Sequence, residues 1–142
     1  MNKDRGIALC IFLFLLSSAS WADKDERQMV KLPEMMQEHM LANMRQHLET
    51  IDLILAQMSA GELDKAADTA EQNLGMSSLD KHGAEHLAQF MPEAMRNTGT
   101  GMHRAASRFA LKAQEGEVLP AYAALREVTA ACVACHGAYR IR

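Results

Sequence analysis

Tyr122-Ala123-Ala124-Leu125-Arg126-Glu127-Val128-Thr129-Ala130-Ala131-Cys132-Val133-Ala134-Cys135-His136-Gly137-Ala138-Tyr139-Arg140 contains two patterns laid over one another. Tyr122, Leu125, Thr129, Cys132, His136 and Tyr139 recur three and four residues apart, the period of one helical face. The spacing predicts a helix over about Glu117 to Tyr139 with that face inward. Within it, Cys132-Val133-Ala134-Cys135-His136 forms C-x-x-C-H, and residues three and four apart on a helix are neighbours, so both thiols and the imidazole meet a single surface.

C-x-x-C-H is the attachment signature of a c-type haem. Two thiols at this spacing form thioethers with the two vinyl groups of one porphyrin, and the imidazole beside the second thiol reaches the iron. Cys132 and Cys135 are therefore expected to hold one haem c covalently, with His136 as proximal iron ligand. A thioredoxin-like dithiol would want a βαβ context, and no segment here alternates like a strand. A structural zinc site would want a second pair of ligands, for which His82 and His86 are the weak match in sequence.

Lys3 and Arg5 precede an apolar run from Ile7 to Leu16, and Ser20-Trp21-Ala22 fits a small-x-small cleavage site. Residues 1–22 are expected to be a secretory signal peptide, removed with Cys10, and the mature protein to be periplasmic. The run is short for a bilayer span, and no later segment reads as continuously apolar for a spanning length, so stable membrane insertion is not expected. Residues 23–142 then form one domain. Export normally favours a disulfide between two cysteines, but consumption of both thiols by haem explains why neither has a distant partner. The formal charge of −3 gives no basic patch and argues against nucleic acid.

Apolar residues make up 49% of the chain and aromatic ones only 5%, with Ala, Leu, Met, Glu and Gln abundant, a helix-forming mixture. Leu41, Met44, Leu48, Ile51, Leu55 and Met58 predict a stripe on a first helix from about Val30 to Met58. A second runs from near Glu62 with Leu63, Ala66, Ala67, Ala70 and Leu74 inward, closed by Gly75. The glycines at 75, 83, 99 and 101 and Pro92 suggest loops around a short helix from Leu79 to Phe90. A third core helix carries Met102, Ala106, Phe109 and Ala113 and ends near Gly116. The expected fold is all-α, an antiparallel up-down-up-down four-helix bundle.

The ending Cys132 to Arg140, the stretch Ala124 to Val128, and more loosely Met40 to Gly61 and Phe90 to Phe109, resemble the class II cytochromes c, the cytochrome c prime group and its low-spin relatives. The resemblance implies the same four-helix bundle, with one haem near the C-terminus of the last helix. It also implies a periplasmic location and frequent homodimers. Arg140, one turn beyond His136, has a family counterpart near the haem, which implies an electrostatic role toward a propionate.

The distal side decides what such a centre does. Met35, Met36, Met40 and Met44 lie in the half of the first helix that an antiparallel bundle turns toward the motif. A thioether on iron would give a six-coordinate, low-spin centre of raised potential. Met44 lies on the main stripe and is the first candidate; Met40 is the second. The same methionines also suit an irregular core. His39 and His47 flank this region as alternative ligands, and His103 has no partner in sequence. The expected function is single-electron transfer with redox partner proteins. The alternative is a five-coordinate binder of nitric oxide or carbon monoxide; a small peroxidase would need a distal acid-base group that no residue supplies with any specificity.

Overall fold

The computed structural model describes residues 24–142. The expected signal peptide lies outside the described residues. Among the described residues the fold is all-α but for one pair of two-residue strands. β1 (Gln28–Met29) leads into α1 (Glu34–Ser59) and α2 (Leu63–Asn73); a 3-10 turn (Met76–Ser78) and the short α3 (Ala84–Ala88) precede α4 (Glu93–Gln114), α5 (Val118–Ala138) and β2 (Tyr139–Arg140).

The helix boundaries have local causes. Pro33 and Pro92 immediately precede α1 and α4, where a missing N–H and a fixed φ do no harm, and Glu34 and Glu93 place negative charge in the first turns. Gly61 at φ 75° and Gly116 at φ 81° end α1 and α4 in the left-handed region. Helix α1 starts at Glu34, not Val30, because the preceding residues are held in extended form: Gln28 and Met29 pair in parallel with Tyr139 and Arg140, and the Val30 N–H donates to the Arg140 carbonyl at 2.8 Å.

Helix α4 starts nine residues before the expected Met102 and takes in Gly99 and Gly101. Each glycine costs a helix roughly 1 kcal/mol relative to Ala, but Met95, Met102, Ala105, Ala106 and Phe109 are buried on one side and their packing outweighs it. The expected helix from Leu79 to Phe90 is reduced to five residues, since Gly83 at φ 59° interrupts it.

Helix α2 packs between α1 and α4, and α4 packs along α5. The main core gathers Ile54 and Met58, the alanines of α2, Phe109 with its small neighbours on α4, and Ala121, Leu125 and Val128 of α5. The expected faces of α2 and α4 are those buried. On α1 the buried residues are Met40, Asn43, Thr50, Ile54 and Met58, while Leu48 is 72% exposed and Leu55 is also exposed. On α5, Tyr122 and His136 are exposed and the inward line runs through Ala121, Leu125 and Val128. Both stripes are thus rotated by about one residue, because each helix is apolar over more than one face and periodicity alone does not choose between them.

Helix α5 is also long and apolar enough to cross a membrane by length and composition. Arg126 and Glu127 interrupt its apolar run, so it is not continuously apolar over that length. In the fold, Glu127 reaches Arg108 of α4 at 2.7 Å.

Candidate haem site

A second, smaller apolar cluster surrounds the C-terminal end of α5. Val30, Met40, Leu87 and Met95 are buried there, with Met36, Met44, Met91, Cys135 and Tyr139 packed against them. Between this cluster and the main core lies an open cavity of about 890 Å³, walled by α1, the segment around His82, α4 and α5. Cys132, Cys135, His136 and Arg140 line it, and so do Met40 and Met44 from the opposite side. All six residues singled out in sequence therefore share one cavity, although 88 residues separate Met44 from Cys132. Met40 is 7% exposed, while Met44 is half-buried.

Both thiols are free and half-buried. Burial raises the pKa of each, and Cys132 adds to the effect on Cys135. They also sit in the last two turns of α5, where the helix dipole disfavours a thiolate. A redox dithiol needs the reverse, a depressed thiol pKa, typically at a helix N-terminus. The pair is thus not poised as a thioredoxin-like centre.

The chain before α1 straps the motif down. Arg27 donates to the His136 carbonyl at 3.5 Å, and the Gln37 amide donates to the Ile141 carbonyl. Hydrogen bonds from Arg27 hold the Asp25 carboxyl down to about 2. Arg140 Nε is ion-paired with Asp25 Oδ2 at 3.4 Å and is buried at the cavity wall without a hydrogen bond.

Deeper along the wall stand three histidines that no sequence spacing connects. The ring of His47 on α1 lies 4.7 Å from that of His82 and 6.0 Å from that of His103 on α4, with His82 and His103 5.4 Å apart, centroid to centroid. His39 and Asn43 each donate to the His82 carbonyl at 2.9 Å, fixing this segment against α1. His82 and His86 do not form the pair considered from sequence: His82 is buried ahead of Gly83, and His86 is exposed on α3. His103 was the residue that sequence left without a partner, and its membership becomes visible only when α4 is placed beside α1.

The residues present fit a covalent haem. Two thiols and an imidazole lie on one helix end beside an apolar cavity of ligand-binding size, and Arg140 lines that cavity with its Nε not hydrogen-bonded. No family model matches the chain, and comparison with curated proteins and with solved structures returned no match.

Proposed function

We propose that this chain is an exported, periplasmic c-type cytochrome that transfers single electrons between redox partner proteins, folded as an antiparallel four-helix bundle with one haem c. The observation that carries the reading is the convergence of Cys132, Cys135 and His136 with the methionines of α1 on one cavity. When bound, haem supplies a one-electron iron couple. The rest is the work of the chain. Cys132 and Cys135 would provide the thioether sulfurs, and His136 would offer an imidazole nitrogen to the iron. Met44, or else Met40, presents a thioether from the facing helix. Arg140, whose Nε–H makes no hydrogen bond, would set its charge toward a propionate in competition with Asp25. The apolar wall limits water and favours a raised potential. Function as a homodimer in the periplasm, without nucleic acid or membrane insertion, completes the proposal.

The test is a denaturing gel stained for haem after expression with a haem-attachment system. The stain should stay with the polypeptide and vanish in the C132A/C135A variant. A wild-type band without stain would overturn the reading.

A further inference from the structure

The His47, His82 and His103 cluster is left unused by the haem reading, and three observations bear on it. First, the spacing suits a shared ion: with metal–nitrogen bonds of about 2.0–2.1 Å and a tetrahedral angle, the ring centroids of two imidazole ligands lie about 5 Å apart, and those found here are 4.7, 5.4 and 6.0 Å apart.

Second, the nitrogens are available. Nε2 of His82, a residue only 4% exposed, and Nε2 of His47 are both buried without a hydrogen-bond partner. Buried polar atoms in folded proteins nearly always have one. His103 donates from Nδ1 to the Leu74 carbonyl at 2.7 Å, which leaves its Nε2 as the lone-pair nitrogen. The Ser78 hydroxyl commits its proton to the Gly75 carbonyl at 2.7 Å, so toward His82 Nδ1, 3.4 Å away, it can only accept. This again leaves Nε2 of His82 unprotonated. A backbone carbonyl or hydroxyl on the far nitrogen is the usual support of a metal-bound imidazole.

Third, the rings are neutral near pH 7. Burial is the largest cause for all three, followed by the neighbouring histidines for His47 and by His103, His39 and Lys81 for His82; it lowers His47 and His82 to about 4 and shifts His103 in the same direction. No proton has to leave before a ligand bond forms.

From the spacing and the three free nitrogens we infer that His47, His82 and His103 form a binding site, separate from the haem motif, for one late first-row divalent metal ion of the zinc and copper class. Neutral imidazoles select this class, and calcium and magnesium prefer oxygen. Among the described residues no three His, Cys, Asp or Glu side chains stand at metal-binding geometry as they are placed, so the inference requires the three rings to turn on binding. His47, His82 and His103 all line the cavity.

The experiment titrates zinc sulfate into the mature, haem-bearing protein by calorimetry at pH 7. One equivalent should bind, and H47Q, H82Q and H103Q should each weaken binding at least tenfold, with H86Q unchanged. Zinc-edge X-ray absorption on the wild-type protein provides a measurement that needs no variant. It should show three imidazole ligands at about 2.0–2.1 Å. An oxygen-dominated shell, no saturable binding, binding that survives all three substitutions, or an H47Q variant whose haem spectrum reports a lost axial ligand would each overturn the inference. Because the readout is zinc, a protein that carries no haem yet binds one equivalent that H47Q, H82Q and H103Q weaken and C132A/C135A does not would reject the cytochrome reading and leave this site standing.

Discussion

A methionine facing a cavity can serve as filler or as ligand, and the two roles respond differently to substitution. If Met44 ligates iron, M44A should abolish the weak near-infrared band of sulfur-to-iron charge transfer and open the reduced protein to carbon monoxide. M40A, in the tighter apolar cluster, should then mainly cost packing, about 2–5 kcal/mol, read as a lower urea midpoint. The reverse result transfers the role to Met40. A wild-type protein that is high-spin and binds carbon monoxide directly would remove both and favour the gas-binding alternative. The buried histidines predict a pH response whose direction follows from proton counting. His47 titrates near 6.5 when unfolded and near 4 when folded, and His82 does likewise. Between those values the unfolded chain binds more protons, so stability falls as pH drops from about 6.5 to about 4. Urea midpoints at pH 7 and pH 4.5 should differ less in an H47Q/H82Q variant; an equal difference would show that these rings do not stay neutral in the fold.

Two glycines test how the elements are built. Gly83 has φ 59°, and a Cβ there would stand 2.9 Å from His39 Nε2. Gly83→Ala should destabilise by more than about 1 kcal/mol, since it combines strain with displacement of a ring that holds the His82 carbonyl. Gly101 lies inside α4 with open space where its Cβ would go. Gly101→Ala should therefore stabilise, by about 0.4–1 kcal/mol. Thermal melts of the two variants should move in opposite directions. The same pair explains the misjudged segment between Gly75 and Gly101. In sequence both residues signal a break, but only Gly83 has the backbone angle that needs glycine, whereas Gly101 is carried along by the packed face of α4. The bounds of α2 and α5 were legible to within about a residue, since Gly61 and Gly75 flank α2 and Gly116 precedes α5.

The described residues form two apolar clusters with a cavity between them, and they should fail separately. Phe109 is fully buried in the main core, against which Cys132 is the one motif residue packed. Phe109→Ala should cost about 3–5 kcal/mol in chemical denaturation while leaving the haem, if bound as proposed, covalently attached. Loss of the covalent haem in that variant would show that attachment depends on the main core. The sequence by itself determined the all-α class and the inward faces of α2 and α4, and it is the source of the proposal that Cys132, Cys135 and His136 attach a haem. Those conclusions rest on contacts within about one turn of helix, where spacing fixes who meets whom. Which face of α1 and α5 is buried, the strap of Arg27 to Val30 over the motif, and the meeting of His47, His82 and His103 were decided only by the tertiary structure. They depend on how whole helices are rotated and placed beside one another, a choice made by the sum of packing across the core that no local pattern records.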